Sequence, residues 1–402
     1  MIWPVCRLQD ICEFQNGFAF KSKLFSNDGT PILRISNIQS GSIDLKQMVY
    51  TNLSSYKENL DKYRVVDGDL LIAMSGATTG KIGINQTGLE FLLNQRVGKF
   101  LPSKHLDKKY LYYYLNTKIQ EHLDISAGSA QPNLSTEQIK SIKIPLPDIP
   151  EQKRIVTILE QAFADIEQAR AKTEQNLKNA QELFESYLHQ IFSHPDGDWV
   201  ATTLGKITGG VFTGPFGSLL HKSDYIENGI PLVNPAHITS NGIETDPRKT
   251  ISNETAQRLS NYIMRQGDVV IARRGEMGRC ALISKHEDGF LCGTGSFVIK
   301  SSEGFYGQYL VRYLRSFSCK AKLEKIAGGA VMPNLSNKDL SNLKIIIPPL
   351  EKQISISNSI DKLAIDIEKV ISIYQNKINN LEELKKSILQ KAFAGEMSKN
   401  IA

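Results

Sequence analysis

Two long stretches of the chain place apolar residues at alternating steps of three and four, with charged residues between them. This spacing is typical of a coiled-coil seam, in which one apolar stripe packs against a partner helix. The pattern predicts two long helices that contact each other through the seam. Representative seam positions are Leu159, Ile166, Leu177 and Phe184 in the first stretch, and Ile360, Ile367, Ile378 and Leu381 in the second.

The predicted helix boundaries follow from local signals. Asp148 followed three positions later by Glu151 is a capping box, which predicts that the first helix begins there. Pro195 stops that helix. The second helix follows the pair Pro348–Pro349 and ends at Gly395, because proline suits a helix entry and glycine a helix end.

The remaining sequence consists of short apolar runs separated by polar, glycine-bearing loops, which predicts strands. Residues 68–73 and 267–272 are matching turn-and-strand signals, and further strands are expected at 91–97 and 290–299. In each part a short helix carries a Tyr-Leu pair, which is Tyr110–Leu111 in one and Tyr309–Leu310 in the other. Each part is therefore a mixed, strand-rich module of ordinary domain size.

The chain is duplicated, with one shift of 201 positions relating the two copies of its most repetitive block. Pro132–Ser135 matches Pro333–Ser336, and Gln152 matches Gln353. We expect an α+β fold in which two similar modules are separated by two long helices. Because these helices leave similar modules of one chain, we expect them to pack as an antiparallel, pseudo-twofold coiled coil. The predicted segments are 1–148 and 196–347 (modules) and 149–195 and 348–402 (helices, the second with a C-terminal tail).

Composition and charge predict where the protein is located and what class of partner it binds. With 41% hydrophobic and 22% charged residues the chain has an ordinary globular composition. It has no long apolar run, no signal-peptide pattern and five cysteines without a CxxC pair, so we expect a cytoplasmic protein with reduced thiols. The net charge of +6 comes from the modules, and this weakly favours a polyanionic partner.

Several apparent catalytic motifs fail. The loop 76–82 resembles a phosphate-binding loop but is one residue short and has Ile82 where a Mg²⁺-binding hydroxyl is needed. Asn234–His237 begins like a methyltransferase motif but lacks its second proline and its aromatic residue. Cys280, His286 and Cys292 do not have zinc-site spacing. We therefore expect neither catalytic residues nor metal ligands.

The surviving chemistry is that of recognition. Arg273, Arg274 and Arg279 cluster in one loop, and arginine's planar fork suits phosphate or a guanine edge. The matching loop of the first module carries hydroxyls and Lys81, and an Asn-Gln-Arg run is expected on its next strand. Any one of these side chains could equally serve local structure, but their duplicated placement favours DNA contact. The candidate DNA-binding residues are Lys21, Arg34, Ser75, Thr78, Thr79, Lys81, Asn94, Gln95, Arg96, Lys222, Asn234, His237, Arg273, Arg274, Arg279 and Thr294.

The repeated block itself resembles a known family. QPNLS…PLPDIPEQKRIV and MPNLS…PPLEKQISI, each leading into a long helix, look like the specificity (S) subunit of type I restriction-modification systems. The resemblance implies that the modules are target recognition domains, each reading half of a bipartite, asymmetric DNA site. It implies that the helices set the half-site spacing and dock two methyltransferase (M) subunits, with two restriction (R) subunits added for cleavage. S-adenosylmethionine would belong to the M subunits, ATP and Mg²⁺ to the R subunits, and no cofactor to this chain.

Other functions remain open at this point. The chain could be a coiled-coil scaffold whose modules bind proteins, although the duplicated basic loops count against that. It could be the specificity part of another restriction-modification type. An enzyme with a fused catalytic domain is disfavoured, because the four predicted segments already account for all 402 residues.

Overall fold

The computed structural model describes residues 3–126, 133–193, 197–328 and 334–398. Pro132, Pro195 and Pro333, which carried sequence predictions, lie outside these ranges. The chain forms two compact units: unit 1 is Met1–Thr173 with Lys377–Ala402, and unit 2 is Glu174–Asn376. Each unit thus combines one module with parts of both long helices, whereas the sequence segments kept each helix whole.

The described residues of unit 1 form two main sheets and two short pairs of strands. Its strands are β1 (Val5–Arg7), β2 (Cys12–Asn16), β3 (Phe25–Ser26), β4 (Thr30–Leu33), β5 (Ile38–Gln39), β6 (Ser42–Ile43), β7 (Val49–Thr51), β8 (Arg64–Val65), β9 (Leu70–Ala73), β10 (Ile82–Ile84), β11 (Phe91–Leu93), β12 (Val97–Pro102) and β13 (Lys143–Pro145). One sheet is antiparallel with the order β10-β9-β12-β2. The other has the order β3-β7-β4-β11-β8, and its β4 and β11 run parallel. The two short pairs are β1–β13 and β5–β6.

Strand β9 explains why the sequence there is continuously apolar. Leu70 and Ile72 face a core shared with Tyr110, while Leu71 and Ala73 face a second core between the two sheets. Because successive side chains of a strand point to opposite faces, a strand covered on both sides must be apolar at every position.

The helices of unit 1 begin with α1 (Lys108–Ser126), α2 (Thr136–Ser141) and α3 (Ile149–Ser193). The helix that carries Tyr110 was predicted to be short, but α1 has 19 residues. Ser135 caps α2 by accepting a hydrogen bond from Gln138 N. The predicted cap of α3 is confirmed, since Asp148 Oδ1 accepts a hydrogen bond from Glu151 N at 3.0 Å.

Unit 2 repeats this arrangement. Its strands are β14 (Val200–Thr203), β15 (Val211–Thr213), β16 (Tyr225–Ile226), β17 (Ile230–Val233), β18 (Ile238–Thr239), β19 (Gly242–Ile243), β20 (Thr250–Ile251), β21 (Val269–Ala272), β22 (Cys280–Leu282), β23 (Leu291–Cys292), β24 (Ser296–Ile299) and β25 (Lys344–Ile347). The antiparallel sheet β15-β24-β21-β22 corresponds to β2-β12-β9-β10, and the parallel pair β17–β23 corresponds to β4–β11. Its helices are α4 (Leu204–Ile207), α5 (Asn253–Arg258), α6 (Gly307–Arg315), α7 (Phe317–Ile326), α8 (Asn337–Ser341) and α9 (Leu350–Ala394).

Within unit 1, the first part of α3 packs against the last part of α9 in an antiparallel manner. Glu167 bonds to Lys385 at 3.0 Å, Arg170 pairs with Glu382, and Arg154 donates to the carbonyl of Met397 at 3.1 Å. Positions thus rise along α3 as they fall along α9, which confirms the expected antiparallel coiled coil.

The apolar seam is buried to different depths. In unit 1, Leu159 and Ile166 are buried and Ile378 and Leu381 are half-buried. In unit 2, Ile360 is buried, and Leu177, Phe184 and Ile367 are half-buried. Phe184 and Ile360 belong to one core with the strands of that module. Across the described residues, the helices are too short or too polar to cross a membrane.

Candidate nucleic-acid interface

Four backbone segments of unit 1 meet where its central strands end. Met74 N, just after β9, donates to Arg96 O at 2.9 Å, and Leu134 N donates to Met74 O at 2.8 Å. Asn94 N, just after β11, donates to Leu33 O at 3.1 Å. We call residues 34–37, 74–81, 94–96 and 133–134 platform 1.

Unit 2 makes the same bonds with different residues. Arg273 N donates to Gly295 O at 2.9 Å, Leu335 N donates to Arg273 O at 2.9 Å, and Gly293 N donates to Val233 O at 3.0 Å. We call residues 234–237, 273–279, 293–295 and 334–335 platform 2. Ser75 forms a bridge with Asn133 in platform 1, as Arg274 does with Asn334 in platform 2. These two residues are therefore structural equivalents.

One glycine in each unit lets the backbone that follows a neighbouring strand approach the platform closely. A Cβ on Gly17 would lie 2.1 Å from Asn94 O, and one on Gly214 would lie 2.0 Å from Gly293 O. Real Cβ atoms do not approach this closely, so only glycine fits both positions. The residues that follow these glycines are thereby held beside the platforms.

Several predicted contacts in platform 1 serve its own structure. Thr78 Oγ1 donates to Ile35 O at 2.8 Å, and Thr79 Oγ1 donates to Gly76 O at 2.6 Å. Lys81 Nζ donates to Gln39 Oε1 at 2.8 Å. Because Gln39 is neutral, this bond does not offset the positive charge of Lys81.

Asn94, Gln95 and Arg96 were expected on a strand, and this was wrong, since they form the turn between β11 and β12. The turn is held by Gln95 N, which donates to Phe18 O at 2.9 Å. Asn94 is half-buried and lies along Phe18 in a bridge. Gln95 and Arg96 are exposed, and their side chains have no hydrogen-bond or ionic partner in the described part of the chain.

The other candidates in unit 1 differ in availability. Arg34 donates to Gln47 O at 2.8 Å, so its guanidinium holds a neighbouring loop. The Ser75 hydroxyl is buried and has no hydrogen-bond partner within the described ranges. Lys21 is exposed at the start of the 3₁₀ turn Ser22–Leu24.

The three arginines of platform 2 do different things. Arg273 Nε donates to Leu335 O at 3.1 Å, and its guanidinium lies 5.8 Å from the centre of the Phe297 ring. Arg279 bonds to Glu276 at 2.9 Å and to Pro235 O at 3.3 Å. The side chain of Arg274 is exposed and unpartnered among the described residues. Two arginines thus brace the loop and one projects from it.

The bond from Arg279 also affects the acid that receives it. That hydrogen bond, together with the charge of Lys320, holds the pKa of Glu276 below its usual value near 4.5. Glu276 is therefore ionised at neutral pH and offsets one positive charge of platform 2.

Of the remaining candidates of unit 2, Asn234, His237 and Thr294 belong to platform 2. His237 Nδ1 lies 2.7 Å from Leu232 O, and the Asn234 side chain packs so closely on Gly293 that a Cβ there would lie 2.3 Å from Asn234 Oδ1. Thr294 is half-buried in the turn before β24, and Lys222 is exposed in a 3₁₀ turn.

Sequence reasoning missed the residues that support the platforms. Gln39, which holds Lys81, lies 42 positions from it in the sequence. Glu276, which holds Arg279, is close in sequence but carries a negative charge, so it is not an obvious DNA contact. Asn133 and Asn334, which bridge to the loops, could have been found, because they belong to the repeated PNLS block.

The cysteines considered for a zinc site are core residues. Burial raises the pKa of Cys280 to about 11 and that of Cys292 to about 12, so both are neutral thiols at physiological pH. Over the described ranges, no group of three His, Cys, Asp or Glu side chains is placed to hold a metal ion.

The model of the type I restriction modification DNA specificity domain matches the chain twice, at residues 2–177 and 208–383. The first match contains platform 1 and the second contains platform 2. The chain belongs to the type I restriction-modification specificity family. Its two copies of the DNA specificity domain explain the duplication found in the sequence.

Similarity to members of this family extends over nearly the whole chain. The EcoBI specificity subunit of Escherichia coli is 24% identical over 427 residues, covering 98% of this chain and 86% of that protein. A chain from a solved structure of complex assembly in the type I system is 21% identical with a TM-score of 0.75, and 97% of each chain is covered. The crystal structure of the HsdS subunit from Thermoanaerobacter tengcongensis is 21% identical with a TM-score of 0.67, covering 98% of this chain and 97% of that one. The two structural likenesses establish the fold.

Proposed function

We propose that this chain is the DNA-reading subunit of a type I restriction-modification complex. Each platform reads one half of a bipartite, asymmetric target, and the helices hold the two readers at a fixed spacing. The observation that supports this most directly is that two platforms share one set of backbone bonds but carry different side chains. A reader of two unlike half-sites requires this combination of a common frame and unlike contacts.

On platform 1 the available groups suit bases and phosphates together. Gln95 offers an amide that can bond bidentately to adenine, and Arg96 can bond to guanine or to phosphate. Lys81, whose partner is neutral, and Lys21 add positive charge for the DNA backbone.

On platform 2 the projecting side chain is Arg274, which we assign to direct base contact. Arg273 and Arg279 fix the loop that presents it, through their bonds to Leu335 O and Pro235 O. Lys222, exposed in a 3₁₀ turn of the same unit, supplies further positive charge. The two platforms thus differ in chemistry as two unlike half-sites would require.

The helices offer a surface for the methyltransferase subunit. Within unit 2, Ile354, Ile365 and Ile373 on α9 are 37%, 53% and 63% exposed. At about 100° per residue they fall within about 100° of one another, on the side of the helix opposite the buried Ile360. We assign this apolar stripe to docking of an M subunit, and we propose two M and two R subunits for the complex.

In this assignment the chain performs no chemistry of its own. S-adenosylmethionine belongs to the M subunits, and ATP with Mg²⁺ belongs to the R subunits. The complex acts on chromosomal and incoming DNA in the cytoplasm.

Sequencing that detects N6-methyladenine in cells carrying this chain and its M subunit tests the function. We expect methylation at one motif made of two specified blocks separated by unspecified bases. Methylation at a single continuous motif, or none that depends on this chain, would refute the proposal.

A further inference from the structure

Two buried glutamines occupy corresponding positions at the starts of the long helices. Gln152 in α3 is 0% exposed and Gln353 in α9 is 1% exposed. A buried primary amide is costly unless its donors and acceptor all find partners. Both side chains meet that requirement in the same way.

Gln152 connects its helix to the module of unit 1. Its Nε2 donates to His105 O at 2.9 Å and to Pro147 O at 2.8 Å, and its Oε1 accepts from Asp107 N at 2.8 Å. His105 and Asp107 lie between β12 and α1, whereas Pro147 lies just before α3. One side chain therefore joins the helix, its entry and a loop of the module.

Gln353 makes the equivalent bonds in unit 2. Its Nε2 donates to Gly304 O at 3.0 Å and to Pro348 O at 2.9 Å, and its Oε1 accepts from Tyr306 N at 3.0 Å. Gly304 and Tyr306 lie between β24 and α6, which is the loop corresponding to that of unit 1. The connection is thus duplicated together with the fold.

A second connection follows two turns later on each helix. Glu160 on α3 pairs with Lys109 at 2.6 Å, and Asp361 on α9 accepts from Arg312 at 2.7 Å. The two connections on each helix are eight residues apart, or about 12 Å along its axis. Two attachment points on one rod fix its direction as well as its position.

The glutamine is the stronger of the two connections in unit 1. The Lys109 and Glu160 side chains are 52% and 42% exposed, and exposed ion pairs contribute little. The bonds of Gln152 are shielded from water, and losing them would strand buried donors and acceptors. The direction in which α3 leaves its module therefore depends more on Gln152 than on this ion pair.

We propose that Gln152 and Gln353 are positioning residues that set which spacing between DNA half-sites the complex accepts. This inference rests on the proposed function. A helix of 45 residues is about 68 Å long, so a tilt of about 5° at its start moves its far end by about 6 Å. That distance approaches two base-pair steps of about 3.4 Å. Small freedom at the glutamine thus becomes tolerance of a changed spacer.

The test is a set of Gln152→Met, Gln353→Met and double variants, assembled with the M subunit. Methionine keeps the side-chain length and the helix preference but cannot make the three hydrogen bonds. Methylation rates are measured on duplexes that share both half-sites and have the native spacer, one base pair fewer or one more. We expect the ratio of native-spacer to altered-spacer rates to fall about tenfold in the double variant, since the six hydrogen bonds of two buried side chains are lost. Discrimination within each half-site should stay unchanged.

Gln161→Met is the matched control, because Gln161 lies exposed on α3 and bonds only to Asp165 of the same helix among the described residues. It should keep the wild-type ratio.

An unchanged ratio in the double variant, with activity either normal or reduced equally at every spacer, would overturn the proposal. If the double variant does not assemble, Asp361→Asn weakens the second connection without opening the core, and the same ratio should fall by a smaller factor. An unchanged ratio there would count equally against the proposal. Failure of the proposed function itself is distinguished by a wild-type complex that methylates no bipartite site.

Discussion

Platforms 1 and 2 have the same backbone and different surfaces. In both, a leucine (Leu134 or Leu335) donates its backbone N–H to the residue that follows the central buried strand, and the next residue forms a bridge to an asparagine. Yet that next residue is Ser75 in one platform and Arg274 in the other. The bonds that the two platforms share are made by backbone atoms, so their side chains can differ without loss of this common frame. The comparison shows how one fold can present two unlike surfaces on a common frame.

The supporting contacts differ as well. Lys81 and Arg279 occupy equivalent positions, since each carbonyl accepts a bond from the last residue of the central strand. Lys81 is held by the neutral Gln39, whereas Arg279 is held by the ionised Glu276. Platform 1 therefore presents a free cationic charge at this position, and platform 2 presents a neutralised pair.

The largest expected effect is a loss of stability when the buried leucine that both platforms share is truncated. Leu134 and Leu335 are 2% and 0% exposed, and each packs in the core of its unit. Replacing either with alanine should lower the free energy of unfolding by about 2–5 kcal/mol. Urea denaturation measures this, with Leu183→Ala, at a position 61% exposed, as the control. A marked difference between the two platforms would contradict the idea of a common frame.

The next largest effect is a loss of base discrimination when Arg274, which only platform 2 carries, is removed. Arg274→Ala should weaken discrimination at one half-site by about 1–3 kcal/mol per contacted base and leave the other half-site unchanged. Binding of the S–M complex to duplexes with single-base substitutions measures it. Lys178→Ala, on an exposed part of α3, is the control and should change neither half. Equal loss at all sequences would mean that Arg274 contacts phosphate.

A smaller effect is expected from the charge of platform 1. Lys81→Ala should weaken binding to all sequences alike and reduce the slope of log affinity against log salt by about one. The reason is that a phosphate contact releases counterions without reading bases. Salt titrations of wild type and variant measure the slope, and a change in preferred sequence would contradict the assignment.

The smallest effect is a pH dependence confined to platform 2. Because the pKa of Glu276 is lowered from 4.5, its ion pair stabilises the fold above that pH and is lost as pH falls through the lower, folded value. Wild type and Glu276→Gln should therefore differ slightly in melting temperature near neutral pH and converge in acid. A difference that grows on acidification would have the wrong sign.

Local signals were enough to predict the helices and the duplication. The seam spacing and the Asp148 cap are set by neighbours in sequence, so α3 could be placed within a few residues. The turn at Asn94–Arg96 could not be placed, because it is fixed by backbone bonds to Phe18 and Leu33, which are distant in sequence.

The same limit applies to the candidate site. Composition and loop position placed Arg34 and Thr78 among possible DNA contacts, but their bonds to Gln47 O and Ile35 O depend on tertiary structure. Arg274 and Arg279 look alike in sequence, and only the fold separates the projecting arginine from the braced one.

The central claim is that each platform reads its own half-site. The most direct test compares the N6-methyladenine motifs of cells carrying wild type, Gln95→Ala or Arg274→Ala together with the M subunit. We predict that each variant makes one block of the bipartite motif degenerate, that the two variants affect opposite blocks, and that the spacing stays the same. Degeneracy in the same block for both variants, or in both blocks for either one, would contradict the account.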